Sequence, residues 1–250
     1  MADSTFRVFR GDTKGGDLVT YRVPVTQGMA VLDGILYIQA HVDGTLACRW
    51  NCRAGRCGSC GAEINERPRL MCKTSIDEFK DEPITVRPMR VFPVIKDLVS
   101  DVSWNYGVNE QIPPFTPGPT DHRAWTIHPE EMEGLFELRR CIECFLCQDI
   151  CNVLRESGRP GGYMGPRLMV RVAALEAHPK DVLSRTDLLR GPSGFGFCNI
   201  ARACQDVCPE GIRISDAAII PLKERLGDDY LEPWRFLLRL FGSNEQAAGA

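Results

Sequence analysis

Twelve of the 250 residues are cysteines, and they fall into three clumps separated by long cysteine-free stretches. Cys48, Cys52, Cys57, Cys60 and Cys72 make the first, Cys141, Cys144, Cys147 and Cys151 the second, and Cys198, Cys204 and Cys208 the third. An even count invites a disulfide framework, but such frameworks suit small chains in oxidising compartments. This chain is larger, and its start, MADSTFRVFR, lacks the apolar core of a signal peptide, so it is expected to stay in the cytosol. Gaps of two and three residues favour several thiolates converging on one inorganic centre. Metal ligation is therefore what the fold has to serve.

Composition removes other classes. Apolar residues at 44% and charged residues at 25% are ordinary globular values, which excludes a disordered chain, a coiled coil or a collagen-like repeat. No stretch approaches the roughly 18 consecutive apolar residues of a spanning helix. A net charge of −3 offers no bulk reason to expect a nucleic-acid partner.

The N-terminal part reads as strand-rich. Residues 5–10 and 18–25 are β-branched and aromatic runs joined across 11–17, a hairpin signal. Residues 29–42 carry Val31, Leu32, Ile35, Leu36 and Ile38 near helical spacing, although Gly34 weakens a helix there. A loop rich in Gly and Arg then holds the first clump, and 84–87 reads as a closing strand before Pro88. Strands, one helix and returning strands describe a β-grasp domain. The proline-rich run 112–120, IPPFTPGPT, marks a boundary or a surface crossing. Beyond it, 129–140, 167–177, 212–225 and 230–241 read as helices. The stripe Leu231, Trp234, Leu237, Leu238 and Phe241 is read as ordinary packing, with docking of a partner as the alternative. The expected architecture is α+β: a plant-type ferredoxin-like β-grasp domain over 1–106, then an all-α, bacterial-ferredoxin-like domain over 107–250.

In the first clump, Cys52-x4-Cys57-x2-Cys60 followed by Cys72 is the spacing of plant-type 2Fe–2S ferredoxins. Four thiolates and two sulfides concentrate negative charge, so the loop must supply compensation. Gly55, Gly58 and Gly61 are expected to let the backbone approach and turn N–H groups toward sulfur. Arg49, Arg53, Arg56, Arg67, Arg69 and Lys73 outweigh Glu63 and Glu66, which favours the reduced state and a potential above about −400 mV. Structural zinc is the rival, but zinc sites usually pair two C-x2-C knuckles. A Rieske centre needs two His ligands, and His41, His122, His128 and His178 all lie outside the clumps. Cys48 precedes the pattern and reads as a bystander.

The second clump, Cys141-x2-Cys144-x2-Cys147-x3-Cys151, and the third, Cys198-x5-Cys204-x3-Cys208-Pro209, both derive from the two-cluster pattern in which each run's fourth Cys ligates the other cluster. That crossing assigns Cys141, Cys144, Cys147 and Cys208 to a 4Fe–4S cluster. Cys151, Cys198 and Cys204 remain. Ala201 stands where a fourth ligand would fall, so the expectation is a 3Fe–4S cluster, with a 4Fe–4S cluster bearing a non-protein ligand as the alternative. Every cysteine but Cys48 is then used. Nothing else reads as catalytic, and GGYMG at 161–165 sits in the wrong context for a phosphate loop.

A plant-type motif followed by CIECFLCQDIC, GYMGPRLMVRVAAL and CNIARACQDVCPEGI resembles the iron–sulfur subunit of the succinate dehydrogenase / fumarate reductase family. The resemblance implies electron relay from an FAD-containing flavoprotein, where succinate is oxidised, through the 2Fe–2S, 4Fe–4S and 3Fe–4S clusters. It also implies a membrane-anchor subunit where quinone is reduced, placing the chain peripherally at the cytoplasmic face of the cell membrane. Ubiquinone-reducing members carry Pro after the Cys151 equivalent, a Trp-containing run beyond it, and His after the Cys198 equivalent. Here those places hold Asn152, Val153 to Glu156 without Trp, and Asn199. The pattern is closer to members using menaquinone with a haem-bearing anchor. A fumarate reductase subunit and a free multi-cluster ferredoxin are the alternatives.

Overall fold

The computed structural model describes residues 2–80, 82–118, 126–157, 162–191 and 193–231. Strands β1 (Ala2–Asp12) and β2 (Gly15–Val25) form an antiparallel hairpin in register from Ala2 opposite Val25 to Asp12 opposite Gly15. The strands outrun their expected lengths because the turn shrinks to Thr13 and Lys14, with Gly15 at φ 124°. Helix α1 (Val31–His41) buries Val31, Leu32, Ile35 and Ile38. Gly34 is the point of closest approach: a Cβ there would run into the Phe6 ring of β1.

A second hairpin, β3 (Gly61–Ile64) and β4 (Arg67–Leu70), turns at Asn65 and Glu66, both at positive φ. Strand β5 (Ile84–Arg87) lies parallel to β1 and antiparallel to β3. Strands β6 (Val94–Lys96) and β7 (Val99–Ser100) finish a sheet of order β4-β3-β5-β1-β6-β7, with β2 on β1. Alternate residues Phe6, Val8, Ile84 and Val86 are fully buried, each such side chain stabilising the fold by about 1.5–3 kcal/mol. Adjacent parallel β1 and β5 with α1 packed beside them make the expected β-grasp.

The remainder is helical: α2 (Trp104–Glu110), α3 (Glu133–Leu138), α4 (Leu146–Asp149), α5 (Asn152–Ser157), α6 (Pro166–Glu176), α7 (Thr186–Arg190), α8 (Ala203–Asp206) and α9 (Ile220–Leu231). The expected helix over 129–140 divides into a 3-10 turn, Pro129–Met132, and α3. That over 212–225 begins as a π-helical segment, Ile214–Ile219. The apolar stripe beyond Leu231 lies outside the described residues. The proline-rich run is pinned where it crosses the surface. Arg185, fully buried, donates to the carbonyls of Pro113 at 2.9 Å and Pro114 at 2.8 Å, and pairs with Asp181 at 2.7 Å.

Polar groups lock the helical part onto the sheet. Glu63 of β3, 1% exposed, pairs with Arg155 of α5 and, at 2.9 Å, with Arg90. Asp149, fully buried at the end of α4, accepts from the Val91 N–H at 3.0 Å. Arg67 of β4 donates to the Asp206 carbonyl of α8 at 2.9 Å. Burial pushes the Asp149 carboxyl up, to about 7. Among the described residues no helix is long and apolar enough to cross a membrane.

Candidate metal centres

The gap between Cys60 and Cys72 is the second hairpin itself. Gly61 opposes Leu70, and the Met71 N–H donates to the Cys60 carbonyl at 3.0 Å, which returns Cys72 to Cys60. The loop before it curls through Arg53, Gly55 and Gly58, all at positive φ. Its N–H groups face sulfur as expected of a nest: Ala54 and Arg56 donate to Cys52 Sγ at 3.4 and 3.2 Å, and Cys52 donates to Cys57 Sγ at 3.5 Å. Burial opposes ionisation of Cys57, but bonds from the Ser59 hydroxyl and from the Cys52 and Ser59 backbone bring its thiol down to about 6. Burial pushes Cys60 up to about 12, with Cys72 and Cys57 beside it.

Two details differ from the expectation. Gly61 is extended in β3; what it provides is room, since a Cβ would stand 3.2 Å from Leu146 Cδ2. The basic excess of the loop is also partly answered from outside it, by Asp33 against Arg53, Glu78 against Arg69 at 2.6 Å and Glu210 against Arg56 at 3.7 Å. Cys48 stands apart. Burial alone raises its thiol to about 12, and its sulfur lies 3.8 Å from the Arg49 carbonyl.

Cys141, Cys144, Cys147 and Cys208 line one small cavity, walled by Phe145, Ile212 and Ile214. Cys151, Cys198 and Cys204 line another, with Tyr163 and Ser215. Cys208 thus lies with the thiols of the second clump and Cys151 with those of the third. Burial raises the thiols in both: Cys144 to about 12, Cys204 to about 11, Cys147 well above its ordinary range, and Cys141 and Cys151 in the same direction. Backbone N–H groups of Leu146, Val153 and Leu154 reach Cys144 and Cys151.

The two loops share one backbone. Glu143 and Ile200 have φ 56° and 58°, and Phe145 and Arg202 have φ 61° and 63°. Each pair leads into a one-turn helix, α4 or α8. Ala201 occupies the position of Cys144, so the second cavity has one thiol fewer. Its rim at Asn199, Ala201 and Arg202 is exposed.

The three groups of thiols follow one another. Gly58, between Cys57 and Cys60, is so close to the second loop that a Cβ would meet Cys144 Cα at 2.6 Å. Cys147, which lines that cavity, is near enough to Cys204 of the next for charge on the one thiol to be felt at the other. Among the described residues, no three His, Cys, Asp or Glu side chains are arranged to hold a single metal ion. What speaks for a larger inorganic group is the chemistry of the donors: several thiols gathered at one place with backbone N–H groups around them suit iron–sulfur clusters. Sequence reasoning missed Tyr163, Ser215 and the Glu63–Arg155–Asp149 network, which no local pattern announces.

Comparison with known proteins agrees. Residues 5–106 match the 2Fe-2S iron-sulfur cluster binding domain, and residues 137–212 the 4Fe-4S dicluster domain. A chain of the Mycobacterium smegmatis Sdh1 complex in its apo form superposes with a TM-score of 0.89 at 47% identity, covering 92% of this chain and 98% of that one. The fumarate reductase iron-sulfur subunit of Mycobacterium tuberculosis is 34% identical, across 77% of this chain and 79% of its own length. The succinate dehydrogenase iron-sulfur subunit of Paracoccus denitrificans is 29% identical, across 89% and 88%. Three thiol groups in succession, on a β-grasp sheet and a helical unit shared with these relatives, lead to one conclusion: the chain belongs to the family of succinate dehydrogenase and fumarate reductase iron–sulfur subunits.

Proposed function

We propose that the chain is the electron-relay subunit of a succinate:quinone oxidoreductase. The observation that carries this reading is the succession of thiol groups, with Gly58 pressed on Cys144 and Cys147 within electrostatic reach of Cys204. Cys52, Cys57, Cys60 and Cys72 would hold a 2Fe–2S cluster, Cys141, Cys144, Cys147 and Cys208 a 4Fe–4S cluster, and Cys151, Cys198 and Cys204 a 3Fe–4S cluster. Bound there, the clusters supply one-electron carriers between an FAD-containing flavoprotein subunit that oxidises succinate and a quinone at a membrane-anchor subunit. Phe145, Ile212 and Ile214 give the second group an apolar wall, and the Glu63–Arg155–Asp149 network holds the first two groups in register. Division into domains at 1–106 and 107–250 fits this arrangement, since cavity and loop meet across that line.

The exposed rim beside Cys198 supports electron exit at that end. Asn152 and Asn199, in place of the Pro and His of ubiquinone-reducing members, favour menaquinone and a haem-bearing anchor. The chain would then sit peripherally on the cytoplasmic face of the cell membrane. The same scaffold run in reverse, as a fumarate reductase, is the second reading, supported by the fumarate reductase relative from M. tuberculosis. Purifying the native complex and assaying both directions with its own quinone tests the proposal. A co-purifying FAD subunit, faster succinate oxidation and menaquinone are expected. Faster fumarate reduction would favour the second reading, ubiquinone alone would overturn the quinone assignment, and a cluster-bearing chain without a flavoprotein would overturn the relay.

A further inference from the structure

Buried hydroxyl groups need partners, and Tyr163 lacks one. It is 2% exposed, its hydroxyl closes no hydrogen bond of good geometry, and it lines the cavity of Cys151, Cys198 and Cys204. Leaving such a group unsatisfied is costly, so a well-packed site does not tolerate it without a use. The Cys198 and Cys151 sulfurs lie beside the hydroxyl. A second hydroxyl lines this cavity. Ser215, fully buried in the π-helical segment, places Oγ 3.6 Å from Cys204 Sγ. The neighbouring cavity is built differently: among the described residues its lining includes Ile142, Phe145, Ile212 and Ile214 and no hydroxyl.

We infer that Tyr163 and Ser215 are hydroxyl donors to the centre held by Cys151, Cys198 and Cys204, Tyr163 toward the Cys198 sulfur and Ser215 toward Cys204, and that together they raise its reduction potential. The inference rests on the three-iron reading of that cavity. A thiol that ligates iron has given up its proton and can only accept, which supplies the partner that Tyr163 lacks. Each O–H draws electron density from sulfur and so favours the reduced state, a recognised control on cluster potential. Neither residue ligates iron. They tune a centre that others hold.

The test is a redox titration of the purified complex, followed by EPR, for Tyr163→Phe, Ser215→Ala and the double variant. The three-iron midpoint is expected to fall in each single variant and furthest in the double, by about tenfold in the reduction equilibrium, or about 59 mV for a one-electron couple. The other two midpoints are expected to hold. Pulsed EPR of the three-iron signal is expected to show in the wild type a proton coupling that disappears on exchange into D2O, and to lack that coupling in the Phe variant. If Tyr163→Phe sheds the cluster, Ser215→Ala carries the test, because it removes one oxygen and keeps the packing. An unshifted midpoint with the signal intact overturns the inference, as does an equal shift of all three centres or loss of the cluster from both variants. A wild-type complex with no three-iron signal would instead strike down the cluster reading beneath it.

Discussion

The loops at 141–151 and 198–208 are the same backbone put to two uses. Both turn through paired left-handed residues into a one-turn helix ending in Gln-Asp, yet their surroundings differ. Gln148 and Asp149 are fully buried, Gln148 donating to Asn105 and to the Met164 carbonyl at 3.0 Å each. Gln205 is half-buried and Asp206 exposed. The first loop is wedged between sheet and helices, while the second sits at an edge. Backbone geometry survives the exchange of Cys144 for Ala201, so the path of the chain does not depend on the fourth thiol. On the proposed assignment, what the thiol decides is how much iron the loop can hold.

The largest expected effect follows from removing a thiol where four converge. Cys144→Ala is expected to lose its cluster and destabilise the helical part by on the order of 4 kcal/mol. That corresponds to a fall of about 10 °C in melting. Iron analysis and a thermal scan check it, and full iron with wild-type melting would contradict the assignment.

The paired aspartates sharpen the contrast. Asp149→Ala strands the buried Val91 N–H and takes a carboxylate from Arg155, at a cost of about 2–3 kcal/mol. Asp206→Ala, at the exposed equivalent, is expected to stay within about 0.5 kcal/mol, because Arg67 bonds its carbonyl and not its side chain. Equal losses in chemical denaturation would erase the distinction.

The buried thiols make assembly depend on pH. In the iron-free chain Cys60 and Cys144 rise to about 12 and Cys204 to about 11, all above the ordinary thiol value of 9.0. Raised folded values mean that the stability they contribute is whole below pH 9 and drains away as pH climbs toward 11–12. Ligation runs the other way, since each thiol must release its proton. Iron and sulfide uptake by the iron-free chain should therefore rise from pH 6.5 to 8.5, while its melting point falls above pH 9. Uptake that is flat across that range would count against buried, protonated thiols.

The smallest effect belongs to Cys48. Replacing it with Ala is expected to leave iron content unchanged, and any loss on elemental analysis would make it a ligand.

Much of this was legible from the amino-acid order, and the exceptions have physical reasons. Ile84–Arg87 was readable because alternation with a following Pro is a local signal. Helices α4 and α8 were not, being one turn long and set by left-handed residues such as Phe145 and Arg202 that carry no glycine signature. The hairpin from Gly61 to Leu70 hid behind Pro68 and its arginines, and turns at Asn65–Glu66 without glycine. Gly34 read as a weakness in α1 because the Phe6 ring that requires it lies far away in sequence. The cysteine groups were legible since ligand spacing is local. Tyr163, Ser215 and the Glu63–Arg155 pair depend on tertiary contact alone.

One measurement reaches the central claim most directly: EPR with iron quantitation on the purified wild-type protein and on Ala201→Cys. An oxidised three-iron signal in the wild type, replaced in the variant by a second four-iron signal and one more iron per chain, is the predicted outcome. Two four-iron centres in the wild type, with no change on substitution, would show that the missing thiol at position 201 does not govern what the third group holds.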